Sequence, residues 1–293
     1  MLLTTHALAS YLPYRSWPAV IVFELFCGFA NASSVAYFTF IFKVCEKKNF
    51  KLATAVTRSA LLIGHLCSSI LGQFLVSHME LEVKTVFKIS TGFMLAAFVS
   101  SIFLPSQNQY SSGVSWKIVR NAYSKELLVW SMISASFWAC FGPLLSLHSG
   151  FWLQIDVVKG KEHNGTIEFA AKLFGALGAF FVSYIKSSAM SATLLTIIFT
   201  VLMISQSEVG QLLAAYILYI ASAGFGHLTS TVYSVNIAQL IKNDGYAIVF
   251  GFNMIFALIL TNAVNLFCNI FKTTLKVRFR ILTVTLFYFR AFF

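Results

Sequence analysis

The sequence of 293 residues is 58% hydrophobic and only 11% charged, with a formal net charge of +11 and a mean hydropathy of +0.79. Soluble domains carry about 25% charged residues, so this chain has too few charges to cover a surface that faces water. The composition therefore excludes an ordinary soluble protein. Apolar stretches of about 20 residues recur along the sequence and are continuous rather than alternating, which favours membrane-spanning helices over a β-barrel. We therefore predict an all-α, polytopic transmembrane helical bundle set in a lipid bilayer.

The first half of the chain, residues 1–104, is predicted to contain three spans, at residues 17–43, 52–77 and 85–104. A basic loop at 43–51 follows the first span, and Pro105 ends the third. The polar stretch at 105–126 divides the chain, and we predict that it is a cytoplasmic linker.

The second half, residues 127–293, is predicted to contain five further spans, at 127–155, 166–184, 189–204, 211–239 and 246–271. Gly142-Pro143 predicts a kink in the first of them. A final apolar piece at 281–293 is shorter than a full crossing. The prediction is therefore eight spans and a partial ninth.

The positive charge lies mainly in short loops, where Lys and Arg set the orientation of a membrane protein. The loop at 43–51, the linker, Lys186 and Lys242 fall on one side, which is predicted to be cytoplasmic. The basic segment at 271–280 is an exception, because the same alternation puts it on the outer side. No basic segment is interleaved with aromatic residues in a polar context, so we expect no nucleic-acid partner.

Two charged residues lie inside consecutive predicted spans, Glu24 in the first and Arg58 in the second. A charge in hydrocarbon costs roughly 2.5–3.5 kcal/mol on insertion scales, so two charges of opposite sign indicate a polar cavity between helices. Each also has a simpler interpretation, with Glu24 solvated by outer headgroups and Arg58 reaching the cytoplasmic interface. Their predicted depths differ, so a direct ion pair between them is not expected.

Polar residues at the start of the fifth predicted span form a second candidate group. The amide of Asn164 can both donate and accept hydrogen bonds, although the triplet 164–166 is also a glycosylation sequon on the predicted outer side. Glu168 and Lys172 lie four residues apart and share one helical face. They are interpreted either as an intrahelical ion pair or as a proton relay that lines a cavity.

Three histidines lie within predicted spans, His65, His148 and His227. Because histidine as a residue type ordinarily titrates near neutral pH, any of them is a candidate to sense or move protons; the alternative is a hydrogen-bonded interior residue. Aromatic residues make up 16% of the chain and are mainly packing residues. Four of them are candidate walls for a planar ligand ring: Tyr37, Trp138, Phe151 and Trp152.

Enzymatic motifs are not found in this sequence. It has no nucleophile elbow, Walker loop, HExxH or paired catalytic carboxylates, so we predict that the chain is not an enzyme and uses no cofactor. The five cysteines are scattered without CxxC spacing, so no metal site and no disulfide framework are expected.

Four motifs give the chain a resemblance to the reduced folate carrier and thiamine transporter family of the major facilitator superfamily. They are RSA at 58–60, SSILGQFLV at 68–76, HNGTIE at 163–168 and AIVFGFN at 247–253. The stretch 130–152 also matches the family's seventh helix without a gap. By this resemblance the two halves correspond to family helices 4–6 and 7–12, with the first three helices absent and the twelfth cut short.

The resemblance implies a partial major facilitator fold and secondary active transport of a vitamin, folate or thiamine, by alternating access. Organic-anion exchange or a proton gradient would drive it, and the plasma membrane is the expected location. The substrate-binding residues it implies are Glu24, Ser34, Tyr37, Arg58, Asn164, Glu168 and His227. The alternative is a truncated, non-transporting membrane paralogue that binds a ligand or partner only.

The cargo is not decided by the residues at the family's recognition positions. Ser34 stands where the folate branch has an arginine and the thiamine branch an acidic residue. Ala223 and Thr261 stand at two cationic positions of the folate branch. Loss of these cations would leave the two carboxylates of a folate without partners, which argues against transport of ordinary reduced folates.

Overall fold

The computed structural model describes residues 17–103, 123–156, 163–186, 188–241 and 245–274, followed by 276–278, 280–282 and 284; the side chains of 17–27, 30, 31, 83 and 101 lie outside the described part. The described chain is helical, without strands. Its long helices are α1 (Trp17–Val44), α2 (Phe50–Ser77), α3 (Val83–Ile102), α4 (Lys125–Ile155), α5 (Asn164–Phe181), α6 (Ala189–Glu208), α7 (Leu212–Leu240) and α8 (Tyr246–Ile270).

Each of the eight predicted spans is a helix, with ends that differ by a few residues from the prediction. The largest change is in α6, which runs on to Glu208 rather than ending at residue 204. Within the described ranges, five helices are long and apolar enough to cross a membrane: Lys47–Ser77, Lys125–Ile155, Ala189–Glu208, Leu212–Leu240 and Tyr246–Ile270. The chain is thus an integral membrane protein with an all-α transmembrane bundle. Most of the predicted linker and of the partial ninth span lies outside the described residues.

Local side chains explain where two of the helices begin. The hydroxyl of Ser124 accepts a hydrogen bond from the Leu127 amide at 3.2 Å, which caps the start of α4. Ser188 and Ser191 form a reciprocal capping box at the start of α6. These caps satisfy backbone N–H groups that have no partner within the helix.

Helix α7 is the centre of the bundle and is buried along most of its length. It packs against α4, α5 and α6, and small residues allow α5 to approach it closely. A Cβ on Gly178 would lie 2.8 Å from the Gly224 carbonyl oxygen, and one on Gly175 would lie 2.6 Å from the His227 ring. Glycines at such contacts let helix backbones meet within a membrane.

The two halves of the chain are packed against each other. Helix α2 lies along α5, where the Ser59 hydroxyl donates to the Ala176 carbonyl at 2.8 Å. Helix α1 contacts α8, where Phe42 stacks on Phe250 with ring centroids 5.6 Å apart. A cavity between these helices is therefore lined by residues of both halves of the chain.

The basic segment after α8 is tied to an acidic residue at the end of α6. The Glu208 carboxylate lies 3.0 Å from Lys276 Nζ and 2.5 Å from an Arg280 nitrogen. Arg278 donates to the Asn269 side chain at 2.8 Å. The segment 271–280 is the basic stretch that the predicted orientation puts on the outer side. Part of its positive charge is thus neutralised by Glu208.

Candidate functional site

A cavity of about 200 Å³ lies where α1 and α2 meet α4, α7 and α8. Aromatic and aliphatic side chains form most of its wall, which suits a planar ligand. Its polar lining residues are Ser34, Thr39, Thr54, Arg58, Ser134, Ser234 and Asn253. Arg58 is the one charged residue in the described lining.

Arg58 reaches from α2 into this cavity between two aromatic rings. Its guanidinium carbon lies 5.2 Å from the Phe38 ring centroid and 5.4 Å from that of Trp138. Its Nη2 donates to the Ser234 hydroxyl at 3.2 Å. Its Nε is buried and has no hydrogen-bond partner among the residues that the structure describes. Ring faces stabilise a cation, but one neutral acceptor leaves most of its five N–H donors free for a ligand.

A second unused donor faces the same cavity. The Nδ2 of Asn253, on α8, is buried and makes no hydrogen bond within the described part of the chain. A buried donor without a partner costs about 1–3 kcal/mol, so both nitrogens gain from a ligand that brings acceptor oxygens. The cavity is therefore suited to a planar molecule with a carboxylate or other anionic group.

A separate buried cluster surrounds Glu168 of α5. One carboxylate oxygen lies 2.9 Å from His148 Nε2 of α4 and also accepts a hydrogen bond from the Tyr219 hydroxyl of α7. The other oxygen lies 3.2 Å from Lys172 Nζ. Three polar side chains, one each from α4, α5 and α7, thus converge on the Glu168 carboxylate.

Aromatic rings enclose this cluster. The His148 ring stacks on Tyr219 with centroids 4.2 Å apart, and the edge of Trp152 meets it at 4.5 Å. His148 and Tyr219 are 7% and 2% exposed. Little water reaches the imidazole, which strengthens its interaction with the carboxylate.

Of the site residues predicted in the first half, the structure brings two to the cavity. Ser34 and Arg58 line it, together with the predicted ring wall Trp138. Tyr37 is 55% exposed on α1 and does not line it. Glu24 belongs to α1, but its side chain lies outside the described residues.

The site residues predicted in the second half lie away from this cavity. Glu168 pairs with Lys172 as the spacing predicted, and it also joins His148. Asn164 begins α5, and its side-chain oxygen is buried without a partner among the described residues. His227 is buried on α7 with its ring edge-on to Phe141 at 5.1 Å.

Sequence reasoning missed several residues of these sites, among them Asn253, Ser234 and Tyr219. Asn253 closes the AIVFGFN motif, so the motif contained a signal for it. Ser234 and Tyr219 carry no local signal, because a hydroxyl on an apolar helix is common and only tertiary packing brings each to a charged group. Within the described ranges no group of three metal-ligating side chains is assembled.

A known protein family matches this chain along most of its length. A sequence model of the family described as reduced folate carrier matches residues 3–113 and 109–280, which together cover most of the chain. The chain belongs to the reduced folate carrier family.

Relatives in this family carry names for two vitamins. The chain is 23% identical over 287 residues to Folate transporter 1 of Caenorhabditis elegans, covering 84% of this chain and 63% of the relative. It is 24% identical over 318 residues to Thiamine transporter 1 of Homo sapiens, covering 85% of this chain and 64% of the relative. Folate-like transporter 2 of C. elegans is 37% identical over a shorter match of 106 residues, 36% of this chain and 23% of the relative. The chain thus spans a little under two thirds of the length of the first two relatives.

Proposed function

We propose that this chain is a secondary active transporter of a vitamin and that the Arg58 cavity holds the cargo. The observation that carries the proposal is the position of Arg58, a partly unpaired cation in an aromatic-lined cavity at the junction of the two halves. The names of the relatives support folate or thiamine as the class of cargo.

The position of the cavity between the two halves supports alternating access as the mechanism. Residues of α1 and α2 form one side, and residues of α4, α7 and α8 form the other. Rocking of one half against the other opens such a site to each face of the membrane in turn. Transport of this kind uses no nucleotide and is driven by a co- or counter-transported solute or ion.

The charge of the cavity favours an anionic vitamin over a cationic one. The described lining contains Arg58 and no acidic residue, so a folate-type carboxylate finds a partner while thiamine meets a repulsive charge. The planar ring of a folate fits between aromatic walls such as Trp138 and Phe38. Since Ser34 supplies no charge, we expect weaker binding than in a relative with an arginine at that position.

Uptake measurements test this proposal directly. Cells that express the chain, with its plasma-membrane location checked by surface biotinylation, are given labelled folate or labelled thiamine. We expect uptake of folate that excess unlabelled folate competes away. Arg58→Gln removes charge-assisted hydrogen bonds worth about 1.5–3 kcal/mol, so uptake at low substrate falls about ten- to a hundred-fold.

Lys88→Gln is the matched control, because it removes an exposed positive charge from α3, away from the cavity. Equal loss in both variants would point to general charge effects and contradict the assignment of Arg58. Binding of folate to the purified protein without uptake by cells would favour the non-transporting alternative. Uptake of thiamine alone would overturn the preference for an anion.

A further inference from the structure

The cluster around Glu168 lies outside the proposed cargo cavity and has a different chemistry. His148, Glu168 and Tyr219 come from α4, α5 and α7, and their hydrogen bonds join these three helices. None of the three residues lines the Arg58 cavity. A histidine at the centre of such a network can hold or release a proton as well as join helices.

The proton inventory of the cluster shows what it can do. Ionised Glu168 and protonated Lys172 neutralise each other at 3.2 Å. His148 donates through Nε2 to the carboxylate, while its Nδ1 is buried and has no hydrogen-bond partner within the described ranges. Nδ1 is therefore available for one more proton. The positive charge of the resulting imidazolium lies next to the Glu168 carboxylate, which is 2.9 Å from Nε2.

Protonation of the carboxylate instead would break contacts between helices. Glu168 then loses its charge, and Lys172 loses its counterion. A proton on Oε1, the oxygen that accepts from both His148 and Tyr219, would place a further hydrogen in that contact, so the hydrogen bonds to α4 and α7 would have to rearrange. Proton uptake at this oxygen is thus expected to change the contacts between α4, α5 and α7.

The other titratable groups near the cluster come from the helices packed around it. Helix α2 brings His65, which is within electrostatic range of Lys172 and Glu168. Helix α7 brings His227, within range of Lys172, Arg58, His65 and Glu168. Tyr216 of α7 contacts Trp152, and Asp156 ends α4. Helix α8 contains no charged residue or histidine.

We propose that His148 and Glu168 form a proton-binding site between α4, α5 and α7. Its role in driving transport rests on the function proposed above, whereas proton binding itself does not. A proton held at this junction favours one packing arrangement of α4, α5 and α7. Helices α4 and α7 also line the adjacent cavity, so the affinity for cargo depends on the same packing arrangement. Proton and cargo are thereby linked through a shared conformation.

Trp152 offers a readout of proton binding that needs no transport. A protonated imidazole quenches a tryptophan in contact with it, and Trp152 touches the His148 ring. For the purified chain in lipid nanodiscs, fluorescence should fall as the pH is lowered from about 8 to about 5.5. His148→Gln should remove this step. Glu168→Gln should move its midpoint to lower pH, because the imidazolium loses its neutralising carboxylate.

His65→Gln is the control, since His65 lies near the cluster but makes no side-chain hydrogen bond to it within the described structure. It should keep the fluorescence step. A step lost in His65→Gln, or retained in His148→Gln, would overturn the site. If His148→Gln does not fold, an unchanged midpoint in Glu168→Gln would overturn it.

Uptake at graded external pH tests the link to transport. The wild-type chain should show a several-fold change in folate uptake across this pH range, and His148→Gln should flatten the profile at matched surface expression. A steep profile that His148→Gln leaves intact would overturn the coupling. A fluorescence step in a protein that takes up no folate at any pH would support the proton site and contradict only the proposed transport function.

Discussion

Gln73 of α2 caps a helix other than its own. The first turn of α5 has no side-chain cap from its own N-cap residue, His163. The Gly165 amide instead donates to Gln73 Oε1 at 2.8 Å. A Cβ at Gly165 would lie only 2.6 Å from Gln73 Cβ, so the contact requires glycine. Two sequence motifs far apart in the chain, SSILGQFLV and HNGTIE, thus meet in one hydrogen bond.

We expect Gln73→Leu to lower the stability of the bundle by about 1 kcal/mol, the usual cost of losing a helix cap. Thermal unfolding of the detergent-purified protein measures this. Gln73→Glu is the control, since a carboxylate still accepts from Gly165 and its charge suits a helix N-terminus. A Gln73→Leu protein as stable as wild type would show that the cap contributes nothing.

At the scale of elements, α8 supplies a hydrogen bond that α4 lacks at its proline. Helix α4 remains one helix through Gly142-Pro143, but Pro143 has no N–H to donate to the Ala139 carbonyl. The Thr261 hydroxyl of α8 donates to that carbonyl at 3.3 Å. Thr261 stands at a position that the resemblance makes cationic in the folate branch, and in this protein it joins α8 to α4.

A double-mutant cycle tests this hydrogen bond. Thr261→Val removes the donor and should cost about 1 kcal/mol, within the range measured for hydrogen bonds between membrane helices. Pro143→Ala restores the backbone donor, so in that background the cost of Thr261→Val should largely vanish. Thermal unfolding of the four proteins gives the coupling. Additive effects would mean that the hydroxyl does not compensate for the proline.

The helices themselves were predictable, because length and apolar composition alone set where a chain can span a bilayer. Their faces were harder to predict. Helix α1 is apolar all round, so the exposure of Tyr37 and the inward position of Phe38 have no signature in its sequence. The Glu168–Lys172 pair follows from spacing within one helix. Its meeting with His148 does not, because it depends on how α4 and α5 pack.

At the scale of the whole molecule, an aromatic cluster joins the two halves at the end of the cavity where Phe42 and Phe250 lie. Phe42 of α1 packs on Phe50 of α2 and on Tyr246 and Phe250 of α8, with ring centroids 5.1–5.6 Å apart. Lys47, just beyond α1, donates to the Ile241 carbonyl at 3.0 Å. The predicted orientation puts this end on the cytoplasmic side, so the cluster is expected to act as the cytoplasmic gate.

Cross-linking across the cluster tests the gate. In a background without native cysteines, the pair Phe42→Cys and Phe250→Cys should be joined by a short bis-methanethiosulfonate reagent that stops uptake, and a reductant should restore it. Each single substitution is the control, because neither can form the link alone. Full uptake by the cross-linked protein would show that the halves do not separate here during transport.

The surroundings of Arg58 have a consequence for how the protein is made. Synthesis proceeds from the N-terminus, and the hydroxyl that accepts from Arg58 is 176 residues further along the chain. At the usual pace of translation that interval is roughly 10–35 s. During it, α2 sits at the membrane with a cation whose insertion costs roughly 2.5–3.5 kcal/mol and whose ring and hydroxyl neighbours on α4 and α7 do not yet exist. Secure insertion of α2 therefore waits for the later helices, and the first half produced alone is expected to be a substrate for membrane quality control.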